Sequence, residues 1–67
     1  MDRFDAMLLT SRQVAERLGL TIHALTRWRK HGQGPEYVRI GVHCVRYPRA
    51  AVERWIAERM VVPREDR

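Results

Sequence analysis

Residues 10–32 have the sequence TSRQVAERLGLTIHALTRWRKHG, which predicts two short helices joined by a tight turn. Thr10 and Gln13 form a capping box, in which each side chain accepts a hydrogen bond from the backbone N–H of the other residue. A helix is therefore expected to begin just after Thr10. Gly19 stands where a helix commonly ends in a left-handed residue, so the first helix is predicted at residues 11–18.

A second helix is predicted at residues 22–31, because Thr21 can cap its N-terminus and Gly32 can end it. With about 100° per residue, three apolar side chains fall on one side of this helix and are expected to be buried in the core: Ile22, Leu25 and Trp28. The opposite side collects two cations, an imidazole and a hydroxyl: Arg27, Lys30, His23 and Thr26. Two short helices joined by a Gly-containing turn are the helix-turn-helix arrangement, which leaves the second helix free to lie in a groove.

A β-hairpin is predicted after the loop Gln33-Gly34-Pro35, whose glycine and proline prevent the helix from continuing. Residues 37–40 and 44–47 are predicted as strands, with residues 41–43 as the turn. One face of the hairpin is expected to be apolar, with Val38, Ile40, Val45 and Tyr47, and the other to carry Arg39 and Arg46. Because an isolated hairpin is marginal in water, it is expected to pack against the helices as a wing.

A third helix is predicted at residues 49–60, since Pro48 is tolerated in or just before a first helical turn. The residues expected to close the core are Val52, Trp55, Ile56 and Met60 from this helix and Val14, Leu18, Leu25 and Trp28 from the first two. The predicted fold is mostly α with a small β-hairpin, a winged helix-turn-helix, at residues 8–60. Residues 1–7 are expected to form a flexible N-terminus and residues 61–67 a flexible tail.

The net charge of +5 lies entirely in the central part of the 67-residue chain. Basic and acidic side chains cancel in residues 1–20 and in residues 50–67, whereas residues 21–49 contain six basic side chains and one acidic one. Such an asymmetry is typical of a surface that meets a polyanion. The alternative is a basic face that only keeps the protein in solution.

The composition also limits the class of protein. No apolar run approaches the ~20 residues that span a bilayer, and residues 1–5 carry charges of both signs with no apolar segment after them, unlike a signal peptide. Cys44 is the single cysteine, which excludes an internal disulfide and a cysteine-rich zinc site. The sequence offers no nucleophile–base pair, no paired carboxylates and no phosphate-binding glycine loop. We therefore expect a cytoplasmic protein that is not an enzyme and uses neither a cofactor nor a metal.

Four segments in a fixed order form a specific combination: Leu25-Thr26-Arg27-Trp28-Arg29, Gly32-Gln33-Gly34-Pro35, Val45-Arg46-Tyr47 and Val52-Glu53-Arg54-Trp55-Ile56. This combination resembles the excisionase and AlpA-like regulator family, which belongs to the MerR-type winged helix-turn-helix group. The resemblance covers about residues 8–58. It implies a DNA-binding protein whose second helix enters the major groove and whose wing reaches the neighbouring minor groove or the backbone.

The resemblance also implies a set of DNA contacts. From the second helix they are Thr21, His23, Ala24, Thr26, Arg27 and Lys30, and from the wing they are Arg39, His43 and Arg46. The wing tip of the family is often doubly basic, whereas here it is Gly41-Val42-His43-Cys44. This departure implies a weaker grip on phosphate.

Arg27 is the first candidate for a base contact, because a guanidinium can bridge O6 and N7 of guanine. Its alternative is a solvated side chain or an ion pair with Glu16. The candidates for phosphate contacts are Lys30, Arg39 and Arg46. For Arg46 the alternative is that its stem packs along Trp55.

The remaining polar and aromatic candidates each have a structural alternative. Thr21 can serve as an N-cap and as a phosphate contact at the same place. His23 is a candidate donor to a base or a phosphate, and its alternative is a surface histidine without a function. The aromatic side chains fall on faces predicted to be buried, which favours core packing over stacking on unpaired bases: Trp28, Tyr47 and Trp55.

Two biological roles fit these contacts, and their residues are the same. As an excisionase, or recombination directionality factor, the protein would assist a phage-type integrase of the tyrosine or serine class. As an AlpA-like regulator, it would bind a promoter and act on RNA polymerase. A single recognition helix reads only a half-site, so cooperative self-association on DNA is expected in either role. A different class of function is a protein-interaction module that turns the basic face to an acidic partner, whereas a membrane-surface role lacks an exposed apolar face.

Overall fold

The computed structural model describes residues 7–63, which form three helices and one three-stranded antiparallel sheet. In chain order the elements are β1 (Leu8–Thr10), α1 (Ser11–Leu18), α2 (Ile22–Lys30), β2 (Val38–Gly41), β3 (Cys44–Pro48) and α3 (Arg49–Glu58). This is the predicted winged helix-turn-helix, with β2 and β3 as the wing. The predicted flexible segments, residues 1–7 and 61–67, lie for the most part outside the described residues. None of the helices that the structure describes is long and apolar enough to cross a membrane.

The two helices of the helix-turn-helix begin where their capping residues predict. Thr10 Oγ1 accepts a hydrogen bond from the Gln13 N–H at 3.1 Å, and Gln13 Oε1 accepts one from the Thr10 N–H at 2.9 Å, which confirms the capping box. Gly19, with φ 71°, ends α1 and lets the chain turn into α2. The hydroxyl of Thr21 caps α2 by accepting a hydrogen bond from the Ala24 N–H at 3.1 Å. α2 is one residue shorter than predicted.

The sheet contains a strand that the sequence does not predict. Its order is β1-β3-β2, so β3 is the central strand, and β1 pairs antiparallel with it through Leu9 opposite Tyr47. Three residues are too few to show an alternating pattern, so nothing local marks β1 as a strand. The pairing fixes the start of α1 to the sheet, because Thr10 is both the last residue of β1 and the cap of α1.

The prediction of one apolar face and one arginine face on the hairpin is wrong. β2 and β3 pair so that Arg39 lies opposite Val45 and Val38 lies opposite Arg46, and directly opposed residues share a face of a sheet. Arg39 therefore shares a face with Val45, and Arg46 lies on the other face. Alternation decides which residues of one strand share a face, but the register with the partner strand also depends on the irregularity between Arg39 and Gly41. Every residue of β2 is exposed.

The core consists of side chains from all three helices and from β1 and β3. Its buried cluster is Leu9, Val14, Ala15, Leu25, Tyr47 and Val52, and the half-buried side chains packed against it are Leu18, Trp28, Tyr37, Val45 and Ile56. Trp55 packs on Trp28, with the ring centroids 5.4 Å apart. The predicted core positions of Ile22 and Met60 are wrong, because these side chains are 41% and 70% exposed. Met60 follows the end of α3, and Ile22 lies in the first turn of α2, one turn before the buried Leu25.

Candidate nucleic-acid interface

The exposed side of α2 forms a shallow concavity of about 240 Å³. Its lining residues are His23, Thr26, Arg27 and Lys30. These four of the six residues predicted on α2 come together because positions three, four and seven apart return to the same side of a helix. A small ligand needs a deeper cleft that buries most of its surface. The exposed side of α2 therefore suits contact with part of a macromolecule and not the enclosure of a small ligand.

The other two residues predicted to contact DNA from this helix are Thr21 and Ala24. They lie at the N-terminus of α2 and are hydrogen-bonded to each other. The Thr21 hydroxyl oxygen is occupied as the cap by the Ala24 N–H, while its own O–H remains able to donate. Neither residue lines the concavity. Thr21 is exposed and can reach a ligand at the end of the helix, whereas the half-buried Ala24 offers only a methyl group.

The cations on the exposed side of α2 are not neutralised by carboxylates. Within residues 7–63, three ion pairs form: Arg17 with Glu53, Arg54 with Glu36, and Arg59 with Glu58. None of the three uses a residue of α2. In the same part of the chain the alternative ion pair between Arg27 and Glu16 does not form. Three of the four described glutamates are thus paired with arginines outside α2, which leaves the potential over α2 positive.

Arg29 fixes α2 to the sheet, a role that the sequence analysis missed. Its Nη1 donates to the Tyr47 hydroxyl at 2.9 Å, and its Nη2 donates to Thr26 Oγ1 at 3.3 Å. Its guanidinium also lies 5.7 Å from the centroid of the Tyr37 ring. We call these contacts the Arg29 brace. The signal that could have found it is position, because Arg29 lies four residues after the buried Leu25 and so on the same side of α2.

Tyr47→Phe is expected to lower the free energy of unfolding by about 1 kcal/mol, because the Arg29 brace loses an acceptor. Urea unfolding followed by circular dichroism measures the change. Tyr37→Phe is the matched control, since among the described residues the Tyr37 hydroxyl makes no hydrogen bond. It is expected to change the free energy of unfolding by less than about 0.5 kcal/mol. An equal loss in the two variants would contradict the brace.

The three predicted wing residues do not share one surface. The guanidinium of Arg39 lies 6.0 Å from the centroid of the Tyr37 ring, which the guanidinium of Arg29 from α2 also approaches. Arg46 lies on the opposite face of the sheet, where its Nη1 donates to a backbone carbonyl of its own strand at 2.9 Å. His43 is exposed in the turn between β2 and β3. Arg39 is therefore the wing arginine that shares an aromatic neighbour with a residue of α2.

The aromatic side chains lie in or against the core, as predicted, with Tyr47 only 1% exposed. The arginine that covers Trp55 is Arg59, 4.0 Å from the ring centroid, and not Arg46 as the sequence analysis allowed. Arg59 also donates from Nη1 to the Trp55 carbonyl at 3.1 Å. Cys44 is a free, half-buried thiol. In the described part of the chain, no group of three or more His, Cys, Asp or Glu side chains is placed to hold a metal ion.

Comparison with known protein families agrees with this architecture. No curated protein and no solved structure matches the chain. The family model of the helix-turn-helix domain matches residues 8–60, which include every helix and strand described above. That family is a family of DNA-binding domains and not of enzymes. The chain therefore belongs to the helix-turn-helix domain family.

Proposed function

We propose that this protein binds double-stranded DNA in a sequence-specific manner, with α2 in the major groove. The observation that carries the proposal is the exposed side of α2, where Arg27 and Lys30 stand together with no carboxylate partner in the described residues. A helix with its side chains is about 10–12 Å wide and the major groove about 12 Å, so the two fit each other. Membership of the helix-turn-helix domain family supports the same function.

The residues of α2 have different chemical tasks in this proposal. Arg27 presents a planar fork of donors and is the residue proposed to read guanine through O6 and N7. Lys30 is a compact charge that suits a phosphate, which fixes the position of the helix but carries little sequence information. His23 is proposed to donate to a base or a phosphate. The O–H of Thr21 and the N-terminus of α2 are proposed to meet a phosphate.

The wing is proposed to contact the backbone or the minor groove next to the site of α2. Arg39 and His43 are the first candidates, because Arg39 is exposed and shares the Tyr37 ring with Arg29 of α2, and His43 lies in the exposed turn. Arg46 ranks after them, since it lies on the opposite face of the sheet and already donates to a backbone carbonyl. Among the wing variants, Arg39→Ala is accordingly proposed to weaken DNA binding more than Arg46→Ala.

The proposed biological role is that of an excisionase, which bends DNA so that a phage-type integrase runs in the excisive direction. The resemblance of the helix, loop and strand segments to the excisionase and AlpA-like regulators of the MerR-type group supports this role. The same resemblance supports a second one, an AlpA-like regulator that binds a promoter in the cytoplasm. Footprinting separates them: adjacent direct repeats near an attachment site favour the excisionase, and a site that overlaps a promoter favours the regulator.

The proposed partners follow from the role. An excisionase works with a tyrosine or serine integrase, and a promoter-binding regulator works with RNA polymerase. A lone helix-turn-helix reads few base pairs, and each wrong base pair costs only about 1–3 kcal/mol. Cooperative binding of further copies to adjacent sites would supply the missing affinity.

The first test is fluorescence anisotropy with a duplex selected from a random-sequence library and a scrambled duplex of the same composition. The selected duplex is expected to bind more tightly at every salt concentration. Log K is expected to fall linearly with log salt, by about 0.9 for each contacted phosphate. Lys30→Ala is expected to weaken the binding of both duplexes equally and to lower the magnitude of the slope of log K against log salt by about 0.9.

Arg54→Ala is the matched control for Lys30→Ala. It removes the same charge from α3, where Arg54 is exposed and bonded to Glu36 at 2.9 Å. It is expected to leave the slope unchanged. Equal affinity for the two duplexes would contradict sequence specificity but not DNA binding. No binding to either at low salt would contradict the proposal and favour a protein-interaction module with an acidic partner.

A further inference from the structure

An apolar side chain is exposed in the first turn of α2. Ile22 is 41% exposed, although its spacing from Leu25 and Trp28 predicts a core position. In a helix-turn-helix, the N-terminal residues of the second helix are those that contact base edges. Isolated exposed apolar residues are common on protein surfaces and carry no meaning alone. The neighbour of Ile22 one turn later supplies the second observation.

The hydroxyl of Thr26 is engaged within the protein. Its O–H donates to the Ile22 carbonyl at 3.2 Å, and its oxygen accepts from Arg29 Nη2 at 3.3 Å. A hydroxyl has a single proton to donate, so Thr26 has no donor left for a base. Thr26 nevertheless lines the exposed concavity of α2. What remains for a ligand is mainly its methyl group.

Ile22 and Thr26 are four residues apart, which makes them neighbours along one side of α2, with the Cβ atoms about 5–6 Å apart. The two side chains form an apolar strip that runs from the first turn of α2 towards Lys30, whose charge begins one turn after Thr26. In the major groove the only apolar group on a base edge is the C5-methyl of thymine. The strip and this methyl group are both apolar, and the strip lies at the end of the helix that contacts base edges in a helix-turn-helix.

We propose that Ile22 and the Thr26 methyl group recognise thymine by packing on its C5-methyl group in the major groove. This inference rests on the proposed function, because it needs α2 to lie in that groove. It assigns to Ile22 a role in choosing the DNA sequence and to Thr26 an apolar contact rather than a hydrogen bond. Arg27 reads guanine on the part of the helix surface beyond the strip.

The experiment removes single methyl groups from the DNA and apolar carbon atoms from the two side chains of the protein. Each thymine of the selected duplex is replaced in turn by deoxyuridine, which keeps every hydrogen-bonding group and lacks only the C5-methyl. At one or two positions the affinity of the unchanged protein is expected to fall about fourfold, the value of one buried methyl group. The two protein variants are Ile22→Ala and Thr26→Ser, of which the second keeps the hydroxyl. Each is expected to bind the unsubstituted duplex more weakly than the unchanged protein does. At the matching position, replacing thymine by deoxyuridine is then expected to cause no further loss of affinity.

Leu20→Ala is the matched control, because Leu20 is 37% exposed in the turn before α2 and so resembles Ile22 in size and exposure. In Leu20→Ala, replacing thymine by deoxyuridine is expected to lower the affinity as much as it does in the unchanged protein. Thr26→Val keeps a methyl group and loses the hydroxyl, so it is also expected to lose affinity when thymine is replaced by deoxyuridine. Thermal unfolding shows whether each variant is folded at the assay temperature.

The failure of this inference is distinguishable from the failure of the proposed function. If the selected duplex stays preferred over the scrambled one but deoxyuridine has no effect at any position, thymine recognition by Ile22 and Thr26 is overturned and DNA binding stands. The same holds if the effect persists unchanged in both Ile22→Ala and Thr26→Ser. If the unchanged protein prefers no duplex, the proposed function and the inference fail together.

Discussion

Arg27→Ala is expected to lower the affinity for the selected duplex about 10- to 100-fold while changing the affinity for a scrambled duplex far less. A bidentate contact from arginine to guanine supplies about 1–3 kcal/mol of discrimination, and Arg27 is an exposed cation without a carboxylate partner in the described residues. Anisotropy titrations of both duplexes at one salt concentration measure the ratio. The variant is expected to bind the two duplexes almost equally.

Two further variants separate base recognition by Arg27 from its charge. Arg54→Ala removes the same charge from a side chain that is paired on α3, and it is expected to preserve the preference for the selected duplex. Arg27→Lys keeps the charge but loses the planar fork, so it is expected to lose specificity almost as fully as Arg27→Ala. Full specificity in Arg27→Lys would mean that Arg27 acts as a phosphate contact.

A stability measurement belongs with these titrations. Arg27 lies in the last turn of α2, where a cation also stabilises the helix by about 0.3–1 kcal/mol through the helix dipole. Urea unfolding of Arg27→Ala gives this loss directly. Because it is small, the variant is expected to stay folded, and a fall in affinity confined to the selected duplex cannot come from unfolding.

Gly34→Ala is expected to lower the free energy of unfolding by about 2–5 kcal/mol, from two causes that add. Gly34 has φ 89°, where an L side chain is strained. A Cβ at this position would lie 2.8 Å from Trp28 Cε3, and the Trp28 ring also packs on Trp55. A domain of this size rarely has more than about 3–5 kcal/mol to lose. Circular dichroism at 25 °C is therefore expected to show a large unfolded fraction.

Gly32→Ala is the matched control, since Gly32 has a similar φ of 67° but open space where a Cβ would be. It is expected to cost about 1–2 kcal/mol, the strain of the left-handed conformation alone. The difference between the two variants then measures how tightly the loop after α2 closes over Trp28. Equal losses would show that the loop can move aside without cost.

The sequence predicts the features of this fold that depend on near neighbours. The capping box at Thr10 and the exposed side of α2 follow from residues three or four positions apart, and the left-handed end of α1 follows from Gly19 itself. The structure has all of them. These features locate the cations that the proposed function uses. They need no knowledge of the rest of the chain, because helix geometry alone fixes which side chains share a side.

The features that the sequence does not predict depend on distant partners. β1 is a strand only because β3 lies beside it, and Arg39 shares a face of the wing with Val45 only because of the register between β2 and β3. Likewise, the spacing of Thr26 gives its place on α2 but not the engagement of its hydroxyl, because the Arg29 side chain that donates to it is also hydrogen-bonded to the distant Tyr47. The position of Arg27, the proposed guanine contact, is therefore predictable from spacing, and the apolar strip of Ile22 and Thr26 is not.

The pairing of β1 with β3 has a consequence for the order in which the chain folds. Leu9 and Tyr47 lie opposite each other and are separated by more than half of the chain. Forming this contact therefore costs the entropy of closing a long loop, whereas α1 and α2 each form through local hydrogen bonds. The helices can form early and transiently, but Leu9 and Tyr47 join the core only when the sheet closes. A peptide of residues 10–32 would lack that step. We therefore expect the exposed side of α2 to become persistent only when β1 pairs with β3, and the helix-turn-helix and its wing to unfold as one cooperative unit.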